Sequence, residues 1–484
     1  MGLLSLIKSG ISAVAKWNSL QGYDAVRSSG KRKPIAARTQ GEDAILTGVM
    51  RSRLIGTSQD LVRNFAVVAW AIRKHADYVA SFDFHSRTGN VQLDLDIERL
   101  MDRDSRSYYC DAGARFSREK MFRNLEIRRI VDGDVLPVKL SDGRIQVVES
   151  DRIRNPEDTS TGTWVSGVKI EPATGRPLAF GIFSRGERGY GFNYSRTVGA
   201  NNTLGMYGFF DRFTGDQTRG ISPLASAINS FQDVHENISY ALAKAKVSQL
   251  FALVFSREAD DAAGEIMHSG EENVEGDPSS AGYSVDFGRG PVQLDLNAGD
   301  KADFLESRNP SSEFQAFNQQ VLMIALKALD IPFSFFDESH TNYSGARGSW
   351  LQYERSCKSK QQDQIEIRNR YTIWRLQQWI INGELTLPSG WTIENVNWEW
   401  VAISMPWFDP ARELNADLSA ISAGIQTPQR LAKQRGAGDF YENVDEIAKA
   451  MDYARSKGVP LQFAANAAAA VLPPDLVPTD VTQN

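Results

Sequence analysis

The chain is poor in cysteine: Cys110 and Cys357 stand far apart among 484 residues. Neither a disulfide framework nor a CxxC zinc spacing can be built from them, and a reducing cytoplasm is the default expectation. No apolar run reaches the roughly 18 residues that a membrane span requires. The opening Leu3-Leu4-Ser5-Leu6-Ile7 is too short for a signal peptide, Lys8 and Lys16 interrupt it, and Leu6 breaks the myristoylation pattern. There is no excess of basic charge: the formal net charge is −6, so the chain as a whole is not shaped to grip nucleic acid. No GxxxxGK[ST] string and no GxSxG elbow occurs, which removes a P-loop ATPase and an α/β-hydrolase nucleophile. His235-Glu236 begins like a zincin helix, but Asn237, Ile238 and Ser239 follow without the second histidine. No catalytic residue, metal or cofactor is expected. The acidic pairs Asp260/Asp261 and Glu271/Glu272 could hold Mg²⁺ for nuclease chemistry, but they sit in Gly-rich sequence and a catalytic shell needs rigid support.

What is present is an ordinary globular composition, 42% hydrophobic and 24% charged, in a chain long enough for two to four domains. Its distinctive pattern lies in the middle. Two helices are expected at 223–250 and 310–330, bracketing an acidic insert, and a third at 346–381. Ser222 reads as an N-cap with Pro223 at the first helical position. Leu224, Ala227, Ile228, Phe231, Val234, Ile238 and Leu242 form one apolar stripe. Phe314, Phe317, Val321, Leu322, Ile324, Ala325, Ala328 and Leu329 form another. Residues 257–308 hold 13 acidic and 4 basic side chains, a net of −9, with strand candidates at 251–255 and 283–296. The third helix carries seven Arg/Lys against three Asp/Glu, a net of +4. Between the second and third helices, Phe333, Phe335 and Phe336 form an aromatic root under a polar tip, 337–342.

The flanks read as an α+β body. Residues 7–17 are expected to form a short amphipathic helix or docking tail, and 18–45 a loose basic arm. A helix is expected over 58–80, capped by Ser58, with Leu61, Phe65, Val68, Ile72 and Val79 on one face. Helices follow at 94–103 and 117–131. Hairpins are expected at 134–140/144–149, through Ser141-Asp142-Gly143, and at 163–170/178–183. Residues 185–205 read as a loop and 206–213 as a strand. After the third helix come strands within 384–404, then helices at 409–435 and 442–457, and an Ala/Pro-rich tail from 461 that reads as disordered.

The run Gly215-Asp216-Gln217-Thr218-Arg219-Gly220-Ile221-Ser222-Pro223, with the helix behind it, resembles tailed-bacteriophage portal proteins of the lambda type. So do 331–336 followed by Asn342-Tyr343-Ser344-Gly345-Ala346-Arg347, with Trp350 and Tyr353 beyond. Ala423-Gly424-Ile425, Lys433-Gln434-Arg435-Gly436 and Arg63-Asn64 fit the same pattern, so the resemblance spans about residues 50–460. It implies a portal-like subunit with an α/β wing (1–221, including an N-terminal arm), stem helices (222–250 and 310–332), and a small β-containing clip (251–309). A tunnel loop (333–345), a long helix with returning wing strands (346–410), an α-helical crown (411–460) and the tail (461–484) complete it.

The resemblance also implies a role: a virion protein, assembled in the host cytoplasm as a dodecameric ring at a capsid vertex. The ring conducts double-stranded DNA, without sequence reading, during packaging and ejection. The implied partners are further copies of the chain, the terminase large subunit, head-completion or adaptor proteins, and major capsid and scaffold proteins, with no membrane. Asp337, Glu338, Ser339, His340, Thr341 and Asn342 of the loop, with Lys244 and Lys246 of the stem, are the candidate channel residues. Glu258, Asp260, Asp261, Glu265, Glu271, Glu272, Glu275 and Asp277 are the candidate docking residues for terminase or adaptor.

Blander readings stay beside these. The acidic insert serves equally as a solvated loop, and 333–345 as a plain helix connector. Lys244, Lys246, Arg347, Arg355, Lys358 and Lys360 suit ion pairs between neighbouring copies as well as DNA. Different classes of protein also remain: a metal-dependent nuclease or DNA-processing enzyme of a mobile element, or a capsid-associated adaptor without a channel.

Overall fold

The computed structural model describes residues 41–156, 163–186, 191–210, 217–250, 253–257, 300–304, 312–337, 343–403 and 409–459. It mixes helices and strands and divides into two compact units. One comprises Ala76–Ser222 with the segments before Asp60 and after Lys358; the other comprises Asp60–His75 and Pro223–Lys358.

The first unit is built on antiparallel sheets. Strand Asp134–Lys139 pairs with Ile145–Glu149 on one side and with Tyr207–Gly208 on the other. A four-stranded meander runs Trp164–Val165, Val168–Ile170, Pro177–Arg185, Phe192–Gly199. Alternate residues of these sheets point inward, and Leu136, Val138, Val148, Ile153, Val168, Phe180, Ile182 and Val198 form one core. A second core joins helices Val91–Asp104 and Arg118–Asp132 to the later turns of the helix Tyr343–Ile381. Ile97, Met101, Phe122, Leu125, Tyr371 and Trp379 are its buried centre. Strand Phe82–Ser86 pairs with Trp398–Ala402. The 134–149 hairpin stands where its turn residues place it, and Ser117 caps helix 118–132 through the Lys120 N–H.

The second unit is a helical hairpin. Helix Ile228–Leu250 packs on Ser312–Leu326, and the Asn237 amide donates to Asn318 Oδ1 at 3.2 Å between them. The turn Pro223–Ser226 lies against Lys327–Leu329 at one end. At the other, strand Leu253–Arg257 pairs antiparallel with Asp300–Phe304, in the register Leu253↔Phe304 and Arg257↔Asp300.

Several expectations are corrected. The helix expected over 58–80 is two helices, Gly48–Asn64 and Ala66–Val79. Ser58 is no cap but fully buried inside the first, because the apolar face extends upstream through Ile55. The element behind Ser222 starts as a 3₁₀ turn, Pro223–Ser226, before the α-helix, and the Ser222 hydroxyl donates to Ile130 O at 2.6 Å. The strand expected over 163–170 is two strands joined by Ser166-Gly167, both at positive φ, the geometry of a tight hairpin turn.

Residues 192–199, read as loop, form a strand on Pro177–Arg185. Its side chains are nearly all solvent-facing, so the alternation that marks a half-buried strand is missing. Among the described residues of 384–404 the one strand is Trp398–Ala402. The helix expected over 409–435 breaks at Gly424, φ +72°, into Pro410–Ser422 and Pro428–Gln434. The third helix begins at Tyr343 and runs 39 residues. The expected segments 7–17 and 283–296 and the tail from 461 lie outside the described residues.

Candidate channel and docking site

The helical hairpin buries its apolar stripes at one end only. Leu224, Ala227, Ile228, Phe231 and Val234 are buried, as are Leu322, Ala325, Leu326 and Leu329. Phe65 supports this end, its ring 6.4 Å from Phe231 and 5.0 Å from His235. Further along, Ile238 is 48% exposed and Leu242 55%, and Phe317 on the facing helix is 57% exposed; at the buried end itself, Ile324, between buried Leu322 and Ala325, turns outward and is 60% exposed. A helix with uncovered apolar side chains of this kind needs another surface.

Lys244 and Lys246 are exposed on that same stretch. No carboxylate among the described residues pairs with either. Lys358 instead pairs within its own helix, Nζ to Glu354 Oε1 at 3.3 Å.

The aromatic root of 333–345 is packed. Phe335 lies 5.1 Å from both Trp350 and Tyr353, and Phe336 lies 6.1 Å from Trp70. Tyr353 is buried with its hydroxyl 3.1 Å from His75 Nδ1. Ser356 Oγ donates to Asp330 Oδ2 at 2.7 Å, beside the left-handed turn at Asp330. These contacts hold both ends of the loop. Asp337 is the last described residue before the tip. Glu338, Ser339, His340, Thr341 and Asn342 lie outside the described residues, as do Glu258, Asp260, Asp261, Glu265, Glu271, Glu272, Glu275 and Asp277.

The motif residue Arg219 is structural. Its guanidinium grips Asp134 with Nε at 2.8 Å and Nη2 at 2.9 Å, and donates to the carbonyls of Ile153, Ser166 and Ser150. Arg51 adds a third bond to Asp134 at 2.9 Å and donates to Gly220 O. Ser150 Oγ and the Gly220 N–H complete the shell around the carboxylate. Burial pushes the Asp134 carboxyl up, but Arg219 and Arg51 outweigh it and hold it below the usual carboxylate range. Gly220 runs so close to Gly133 that a Cβ there would stand 2.2 Å from Gly133 O. Sequence reading marked this run as a family signature without seeing its work, because Asp134 and Arg51 are remote in sequence.

Other arginines are also spent internally. Arg368 is fully buried against Phe82, Phe122 and Trp400 and pairs with Glu119. Arg375 pairs with buried Asp104 at 2.6 Å, and Arg129 with Asp363 at 2.5 Å. Two of the cations counted on the third helix, Arg368 and Arg375, are therefore unavailable to a partner. Among the described residues one group could hold a metal ion: His85, Glu98 and Glu442.

The family model of the phage portal protein, lambda family, matches residues 32–361. The chain belongs to that family. It is a phage portal protein. No curated protein matches it. Among solved structures it is similar to a chain of the virion of a native gene transfer agent particle. That pair shows 14% identity, coverage of 81% of this chain and 99% of that chain, and a TM-score of 0.42. A chain from the neck of the native particle, computed with C12 symmetry, shows 14% identity, 78% and 93% coverage and a TM-score of 0.42.

Proposed function

We propose that copies of this chain stand side by side in a ring at one capsid vertex, and that genomic double-stranded DNA passes through its centre during packaging and ejection. The observation that carries the ring is the set of uncovered apolar side chains on the helical hairpin: Ile238 and Leu242 on one helix, Phe317 and Ile324 on the other. Full burial of such side chains is worth about 1.5–3 kcal/mol each, and a neighbouring copy supplies the cover in a closed assembly.

In this reading 1–221 form the wing, 222–250 and 310–332 the stem, 251–309 the clip and 411–460 the crown. The subunit does no chemistry itself. A terminase ATPase docks on the acidic clip during packaging and a head-completion protein replaces it. The loop tip 337–342 and the stem cations Lys244 and Lys246 face the DNA. Few cations suit the task, because each phosphate neutralised adds salt-dependent affinity that would arrest sliding.

Native mass spectrometry with negative-stain imaging tests the ring. Twelve copies of a 53.8 kDa chain give about 650 kDa and a particle with a central hole. A monomer at micromolar concentration refutes the assembly.

A further inference from the structure

The cluster His85, Glu98 and Glu442 joins three segments of the first unit: strand Phe82–Ser86, helix Val91–Asp104 and helix Phe440–Ser456. We propose that it is a binding site for a divalent transition-metal ion, with Zn²⁺ as the working example, that fastens the C-terminal helices to the sheet edge.

Geometry is the first reason. One ligand atom from each residue lies within 4.8 Å of the other two. His85 Nδ1 and Glu442 Oε2 are 3.5 Å apart, close to the ~3.3 Å edge of a tetrahedron with bonds near 2.0 Å. The three side chains leave a fourth position for water.

The second reason is how the ligands are held. The Ser86 N–H donates to Glu98 Oε1 at 3.0 Å, and Arg87 Nη1 donates to Glu442 Oε1 at 3.0 Å, leaving Oε2 turned to the imidazole. Outer partners of this kind orient metal ligands. The other ring nitrogen of His85, Nε2, is buried and has no hydrogen-bond partner among the described residues.

Charge is the third. Glu98, Glu442, Asp439 and Glu399 face Arg87 and Lys433 around the site. Four carboxylates against two cations leave a surplus of two negative charges, which one divalent ion neutralises. An imidazole with two carboxylates selects a borderline ion such as Zn²⁺ over the hard Ca²⁺.

The test is calorimetric titration of Zn²⁺, and separately Ca²⁺, into the full chain, with thermal unfolding followed in parallel. Saturation at one Zn²⁺ per chain, at least tenfold tighter than Ca²⁺, with a raised unfolding midpoint, is expected. Glu442→Gln, at an exposed position, should weaken binding at least tenfold and cancel the thermal shift. His85→Ala should abolish both. His268→Ala should leave both unchanged. Absence of saturable Zn²⁺ binding, equal affinity for Ca²⁺, or retention of full affinity in Glu442→Gln overturns the site. None of these results depends on whether the chain forms a ring.

Discussion

Replacing Asp134 by Asn leaves two buried guanidinium groups, Arg51 and Arg219, without a counter-charge. The carboxylate accepts from Arg219 Nε and Nη2, Arg51 Nη2, Ser150 Oγ and the Gly220 N–H. The amide keeps the size of the side chain but offers one acceptor oxygen and turns an N–H₂ toward the arginines. Removing one partner of a buried ion pair costs about 3–5 kcal/mol, chiefly through the charge left behind. At about 2–4 °C per kcal/mol the unfolding midpoint should fall by on the order of 10 °C. Urea unfolding followed by tryptophan fluorescence measures this, with an unchanged slope showing that the same surface unfolds. Adding Arg219→Met to the Asn variant should cost less than Arg219→Met alone, because the pair is already broken. The folded carboxyl is held below its ordinary range, so the unfolded chain takes up the proton first as pH falls. The stabilisation is therefore complete above about pH 5 and drains away below about pH 4, and the gap between wild type and variant should narrow there. A loss of under 1 kcal/mol for Asp134→Asn at pH 7 would refute the view that this cluster locks the motif in place.

Asp132 has the opposite sign. Burial pushes its carboxyl up to about 6, so its contribution is present below about pH 4 and is lost as pH rises through 6. Asp132→Asn keeps an acceptor for the Gln59 amide and should stabilise the protein by on the order of 1 kcal/mol at pH 8 but not at pH 4, read from paired melting curves. Gly220→Ala should lower soluble yield and melting midpoint sharply, since its new methyl meets backbone at Gly133 rather than a movable side chain. A normal midpoint would count against that close approach. Ile238→Glu with Ile324→Glu should give a protein with unchanged circular dichroism that runs as a monomer in native mass spectrometry; a persisting ring removes these residues from the contact. Lys244→Ala with Lys246→Ala should leave ring mass unchanged and alter the salt dependence of DNA packaging in a reconstituted head, whereas identical salt curves would take these cations out of the channel.

Periodicity and turn chemistry carried the middle of the chain well, because stripes such as Leu224 to Val234 and breakers such as Pro332 act within a few residues. They failed where the deciding partner is distant. Ser58 has the residue type of a cap, yet it lies buried inside a helix that starts ten residues earlier. The edge strand 192–199 owes its form to backbone bonds with 177–185, and its own side chains carry little signal. Charge counting misled in a similar way, since the net +4 of the long helix includes Arg368 and Arg375, both sealed in the interior. Of the candidate site, the aromatic root at 333–336 was legible in the sequence. The His85 cluster was not, because its members are separated by up to 357 positions and only the fold brings them together.

The ladder between 253–257 and 300–304 has a practical corollary. Since Arg257 sits opposite Asp300, the polypeptide departs and re-enters at neighbouring points. Whatever is inserted between them imposes no stretch on the paired helices, and the closure entropy grows only slowly with length. Exchanging the 42 intervening positions should therefore leave this pairing intact. A short turn or a foreign sequence spliced at this junction should leave the supporting rods unaltered.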